Sequence, residues 1–351
     1  MTKLTALIFG VSSSLPIFEP KKNKKYKLEI RKPKICCIGS NLESYDCLNF
    51  LLQNNCVIDT LITLPSGENK NVSDYYDLHD LCSRNNIHVV DTTNVNDTET
   101  ISELRKLKLD YLFTLGWSQI FKEDFINCFS KFVVGTHPSK LPYGRGRAPL
   151  PWTIIEDLRV SALSFFKIDT GVDTGSIIFQ REFEIPSRTY VKDLYSTVSR
   201  ELGEGFYAIY KKIFNNEEIT FKAQMDEGAT VRGKRTPTDG LIEFHRSTEE
   251  IDRLVRAVSE PYPGAYCYYK DKKIVFWEVN PDYDRIFSGT RGQILKKVAN
   301  GILVQFSDGN LWLNNPTDEL NNPVEMKFFK IGDKLGYSIQ DEIHKLKNLL
   351  K

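Results

Sequence analysis

The feature that most constrains this chain is a set of short apolar runs, several closed by glycine, with stretches of helical spacing between them. Ile35-Cys-Cys-Ile-Gly39, Tyr111-Leu-Phe-Thr-Leu-Gly116 and Phe132-Val-Val-Gly135 are continuously apolar rather than alternating. Runs of that kind fit strands buried on both faces, as in a parallel sheet. Tyr45, Leu48, Leu51 and Leu52 recur at helical spacing, and further helices are expected over residues 74–86 and 97–108. Val57-Ile-Asp-Thr-Leu-Ile-Thr63 and His88-Val-Val90 supply two more strands. Strands alternating with helices predict an α/β fold on a doubly wound, Rossmann-like parallel sheet. Ligands of such sheets bind beyond the carboxyl ends of the strands. Gly39, Gly116 and the loop 135–146 fall at those ends.

After a strand over 162–169 and a helix over 192–214 the texture changes. Lys234-Arg-Thr-Pro-Thr-Asp-Gly240 reads as a linker by composition. A short helix over 249–258 precedes strands at 265–269, 273–279, 292–298, 301–306 and 309–313, separated by Gly, Asp and Asn turns. That pattern predicts a smaller C-terminal β-barrel-like (OB-like) domain. The expected organisation is an extension or linker at 1–33, the α/β domain at 34–215, a linker at 216–240, a β-rich domain at 241–330 and a tail or helix at 331–351. At roughly 150 residues per domain, the length suggests two domains, or one large domain with an appendage. The apolar fraction of 41% excludes disorder and collagen-like repeats. No stretch approaches the ~20 apolar residues of a membrane helix. A formal net charge of +1 argues against a surface devoted to nucleic acid. The seven cysteines include no C-x-x-C pair, so no metal site or dithiol centre is expected. Reduced thiols in a cytoplasmic compartment are the expectation. Leu4-Thr-Ala-Leu-Ile-Phe-Gly-Val11 is read as an extra strand and turn, with a short signal-peptide core as the rival. The lysine-rich run over 21–34 is a solvated linker or, as a sharper reading, a phosphate-binding arm.

The chemistry concentrates in Gly135-Thr-His137-Pro-Ser-Lys-Leu-Pro-Tyr-Gly-Arg145-Gly-Arg147-Ala-Pro-Leu-Pro-Trp152. His137 follows a buried strand at its carboxyl end, in a loop braced by three prolines. An imidazole there can gain and lose a proton at neutral pH, since its ordinary pKa lies near ~6.5. Further on, Phe165-Phe-Lys-Ile-Asp-Thr-Gly-Val-Asp173-Thr-Gly175 places a carboxylate between glycines after another apolar strand. A carboxylate held near a histidine tunes it as a general base. Simpler roles exist for both, a strand cap for His137 and a turn cap for Asp173. Ile38-Gly-Ser-Asn-Leu-Glu43 lacks the G-x-G-x-x-G phosphate turn, which argues against a dinucleotide-dependent dehydrogenase.

These segments resemble the N10-formyltetrahydrofolate-dependent formyltransferases, whose signature is Asn-x-His, a Ser-Leu-Leu-Pro-x-x-Arg-Gly-like loop and a later Asp-x-Gly. The resemblance spans about residues 34 to 313, and the Arg145-Gly-Arg147-Ala-Pro-Leu form is most similar to the sugar-nucleotide branch. It implies formyl transfer from N10-formyltetrahydrofolate to the amine of a dTDP- or UDP-linked 4-amino-deoxy sugar, as in O-antigen or lipopolysaccharide biosynthesis. On that resemblance His137 takes the amine proton or hydrogen-bonds the intermediate, while Asp173 orients His137 and raises its pKa. Arg145, Gly146, Arg147 and Ser139 would meet the substrate, and Leu115, Gly116, Trp117 and Gln119 would line the folate cleft. The implied partners are the nucleotide-linked amino sugar and folate, not nucleic acid or membrane, and a homodimer is compatible. One position departs: the family's asparagine is Gly135 here. A backbone N–H, a water or Thr136 is expected to take over its donor role. The alternatives are a methionyl-tRNA formyltransferase and a non-catalytic sugar-nucleotide-binding homologue, the latter motivated by Gly135.

Overall fold

Strand β1 (Ile35–Gly39) is buried at every residue, which is why its sequence does not alternate. The computed structural model describes residues 31–67, 75–337 and 339–350. The expected N-terminal strand or signal core, most of the lysine run and residue 74 lie outside the described residues. Helix α1 (Leu42–Gln53) starts at Asn41, whose side chain accepts from Ser44 N at 2.9 Å and so satisfies an otherwise unpaired first-turn donor. The alternation continues through β2 (Thr60–Thr63), α2 (His79–Arg84), β3 (His88–Asp91), α3 (Thr98–Leu107) and β4 (Tyr111–Gly116). A short α4 (Glu123–Ile126) then leads into β5 (Phe132–His137). Next come β6 (Arg145–Gly146), α5 (Pro149–Ile155), β7 (Val160–Lys167), β8 (Ile177–Glu184) and the long α6 (Val191–Phe214).

The main sheet runs in the order β3-β2-β1-β4-β5-β7-β8. Its first five strands are parallel, as expected for a doubly wound sheet. The last two run antiparallel, β7 against β5 and β8 against β7. Strand β8 was not legible as a run because it is an edge strand, only partly buried along its length. The winding reverses between β1 and β4, where Gly39 pairs with Gly116. A crevice opens at such a switch point, beyond the strand ends.

Beyond α6 the stretch expected to be a linker contains β9 (Val231–Arg232), which pairs in parallel with β6. Helix α7 (Thr248–Val258) has a reciprocal cap between Ser247 and Glu250, and it packs against both α5 and the second sheet. That sheet is antiparallel: β10 (Ala265–Tyr269), β11 (Lys272–Pro281), β12 (Ile294–Val298), β13 (Gly301–Gln305) and β14 (Asn310–Thr317) pair in the order β10-β11-β14-β13-β12. Helix α8 (Ile339–Leu349) follows. The α/β sheet followed by a smaller β domain is thus present as the sequence predicted. Among the described residues no helix is long and apolar enough to cross a membrane.

All seven cysteines are buried and unpaired. Burial pushes their thiols upward, Cys56 and Cys82 to about 12, so none is poised as a thiolate at neutral pH.

Candidate active site

Strand β5 delivers Gly135, Thr136 and His137 to the carboxyl edge of the sheet. Strand periodicity puts Gly135 and His137 on one face and Thr136 on the other. His137 is 6% exposed, and its Nε2 lies 2.8 Å from the Gly144 carbonyl. A carbonyl only accepts, so Nε2 carries the proton in the neutral ring. Nδ1 is left as the basic position, 3.6 Å from Asp173 Oδ2. That separation is long for a hydrogen bond but close enough for strong Coulomb coupling once Nδ1 is protonated.

The pKa of the histidine is set by opposing influences. Burial disfavours the charged ring and is the largest influence; Asp173 and the Gly144 carbonyl pull upward, and Arg232 pushes downward. The balance lies below the ordinary histidine value. Asp173 therefore does raise the pKa, as expected, yet against a larger desolvation cost.

Asp173 is held from three sides. Its backbone is left-handed (φ 54°), and its Oδ2 accepts from Gly146 N at 2.9 Å. Gln224 Nε2 donates to the carbonyls of Asp173 and Gly175, each at 2.8 Å. Gln224 Oε1 in turn accepts from Arg145 Nε and a terminal guanidinium nitrogen at 3.1 and 2.9 Å. Arg145 is 8% exposed. Its guanidinium braces the Asp173 loop through Gln224. Arg147, by contrast, is exposed and borders the cleft.

The same loop is fixed by residues that composition had concealed. Gly144 has φ +74°, and a side chain there would also meet the Arg232 guanidinium at 2.8 Å. Its N–H donates to Thr230 Oγ1 at 2.8 Å. Arg232 pairs with Glu156 at 2.7 Å and lies over the Tyr143 ring. Gln224, Thr230 and Arg232 carry no motif or periodicity, and sequence reasoning missed them. Ser139 is 1% exposed, its carbonyl accepts from Ser164 Oγ at 2.6 Å, and its own hydroxyl has no partner among the described residues.

A cleft of about 400 Å³ brings together Thr114, Trp117, Gln119, Gly135, His137, Gly146, Arg147 and Asp173. Leu115, Gly116 and Trp117 border a second hollow with Thr136 and Pro138, and Gly116, Trp117 and Gln119 a third with Ser40 and Asn41. Gln119 is anchored by its own amide, which donates to Thr93 O and accepts from Val95 N. Two buried polar atoms of this wall, Thr114 Oγ1 and Trp117 Nε1, have no hydrogen-bond partner among the described residues. Buried polar atoms usually find a partner, which makes these two candidate contacts for a polar ligand.

With that geometry the class is defined. Residues 61–208 match the family described as formyl transferase, and residues 234–333 match the formyl transferase C-terminal domain. The chain belongs to the formyltransferase family of enzymes. It is 26% identical over 308 residues to the methionyl-tRNA formyltransferase of Acetivibrio thermocellus, covering 86% of this chain and 97% of that protein. It is 31% identical over 216 residues to the methionyl-tRNA formyltransferase of Rickettsia africae, covering 61% of this chain and 70% of that protein. Among solved structures it resembles WlaRD, a sugar 3N-formyl transferase, with a TM-score of 0.61 at 22% identity, covering 80% of this chain and 97% of that one. An N-formyltransferase from Helicobacter canadensis in complex with folinic acid and dTDP-3-aminofucose gives a TM-score of 0.61 at 21% identity, covering 80% and 99%. At those identities the structural likeness establishes the fold.

Proposed function

We propose that this chain transfers the formyl group of N10-formyltetrahydrofolate to the amine of a nucleotide-diphosphate-linked amino sugar, a dTDP- or UDP-4-amino-deoxy sugar. The observation that carries the reading is His137 Nδ1 facing Asp173 in a cleft rimmed by Arg147. The amine attacks the formyl carbon, and its proton passes to Nδ1 of His137. A buried histidine with a lowered pKa is already neutral at pH 7 and so ready to accept it. The resulting imidazolium sits beside the Asp173 carboxylate, which stabilises the charge and orients the ring. The proton then returns to the departing folate nitrogen as the tetrahedral intermediate collapses. Arg147 is the guanidinium of the loop placed for a diphosphate, which it can bind bidentately.

A second reading is methionyl-tRNA formyltransferase, favoured by the identities to the Acetivibrio and Rickettsia proteins. One experiment separates the two. The purified chain is incubated with N10-formyltetrahydrofolate and either a panel of UDP- and dTDP-linked amino sugars or methionyl-tRNA, and tetrahydrofolate release is followed by absorbance. Turnover with a sugar nucleotide is expected. Turnover with methionyl-tRNA alone replaces the first reading by the second.

A further inference from the structure

We infer that Thr114 Oγ is the hydrogen-bond donor to the formyl oxygen as it acquires negative charge. The inference rests on the formyl-transfer reading above and adds the group that stabilises the oxyanion. Attack on a formyl carbon converts its carbonyl into an oxyanion, which needs a preorganised donor in a dry site. His137 serves the proton and cannot serve both ends at once, because its Nε2–H is committed to Gly144. Gly135, on the same face two residues before it, has no side chain.

The neighbouring strand supplies what Gly135 lacks. β4 and β5 pair in parallel as far as Phe113 with Val134, so Thr114 and Gly135 are the next residues along the two strands and, by the strand alternation, belong to the same face. Thr114 is 8% exposed, borders the cleft that holds His137, and has no partner for its Oγ1 among the described residues. The other polar groups of that wall are less suited. Thr136 also borders the cleft but belongs to the opposite face of β5 from His137, and the Gln119 amide is held at both ends. Ser118 is exposed to water. A buried hydroxyl left unpaired beside the reactive histidine gains its partner when the oxyanion forms. The proton stays on Oγ throughout, and no group is transferred to it.

The test compares Thr114→Val and Thr114→Ala, which remove the hydroxyl, with Thr114→Ser, which keeps it. Steady-state formyl transfer is measured with the acceptor that the wild type turns over. Folinic acid affinity is read in parallel from quenching of tryptophan fluorescence. Loss of one oxyanion donor typically lowers kcat about 100- to 1,000-fold. A fall in kcat of about that size in Val and Ala is expected, with folinic acid affinity within about threefold of wild type. Thr114→Ser should recover to within about tenfold of wild type, which a packing role would not predict. Wild-type transfer with a Val or Ala variant within about threefold in kcat overturns the inference alone, as does a loss that serine does not recover. Absence of transfer by the wild type to every acceptor overturns the reaction assignment and this inference with it.

Discussion

Gly135→Asn puts an amide side chain where the family signature carries one, and the structure sets what it would meet. Gly135 lies in the interior of β5, paired with Phe166, and its φ is not in the left-handed region. The obstacle is therefore space, not backbone strain. A Cβ at this position would stand 2.7 Å from Ile168 Cγ1, 2.9 Å from Ile168 Cδ1 and 2.9 Å from Phe166 Cζ. Contacts under 3 Å force a neighbour to move, and Phe166, 4% exposed, is itself packed in. Overpacking of this kind costs about 1–3 kcal/mol. At about 2–4 °C per kcal/mol in a domain of this size, the melting temperature should fall by several degrees. Turnover should be equal or lower, because the new amide competes with Ile168 for space before it can reach the formyl oxygen. Two assays check this: a thermal melt and steady-state kcat on the acceptor identified above. The double variant Gly135→Asn, Ile168→Ala should regain much of the lost stability, since the two sites touch and their effects should not add. A single variant with kcat raised tenfold or more, about 1.4 kcal/mol of transition-state stabilisation, would refute the reasoning.

Replacing His137 by alanine should lower kcat by about 100- to 10,000-fold while folinic acid affinity, read by tryptophan fluorescence, stays within a few-fold. The pH profile of kcat/KM should keep its plateau down through ~6.5, the ordinary histidine value, and decline only at lower pH, because the active form is the neutral ring and its pKa is depressed. Linkage has the same sign in stability: below ~6.5 the unfolded chain takes up the histidine proton first, so folding stability is lost as pH falls towards the folded-state value. Gln224→Leu removes both hydrogen bonds to the Asp173 loop, and kcat should fall about tenfold with KM little changed, measured by the same kinetics. The seven buried thiols should resist an aromatic disulfide reagent at pH 8 until denaturant is added, as followed by thiolate release at 412 nm or about that wavelength.

What could be read from the sequence follows from how each element is buried. Strands β1, β4 and β5 are enclosed on both faces, so their runs of Ile, Cys, Leu, Phe and Val announce themselves. β2 is shorter than its run suggested, because Val57 is exposed and its N–H donates to the Tyr210 hydroxyl instead of joining the ladder. His137 and Asp173 stood out because both follow apolar strands within glycine-rich loops, and the structure does bring them together. Arg145 and Arg147 are alike in sequence and two residues apart, yet one is buried against Gln224 and the other exposed. That difference is set by the parallel pairing of β6 with β9, a contact between residues 86 positions apart that no local pattern reveals. Gln224 and Thr230 are polar residues in an unpatterned stretch, and their roles exist only through that pairing.

The β6–β9 pairing also fixes where this protein can be divided. A cut after Phe214, at the end of α6, looks natural from the sheet alone. It would discard Gln224, Thr230 and Arg232, and with them the anchors of the Asp173 loop, the Gly144 N–H partner and the Arg232–Glu156 ion pair. Such a fragment would keep its parallel strands while losing the scaffold of the candidate active site. The seam for recombination with a different C-terminal module therefore lies after Gly233, so that any inheritable unit of this catalytic apparatus carries its connecting strap with it.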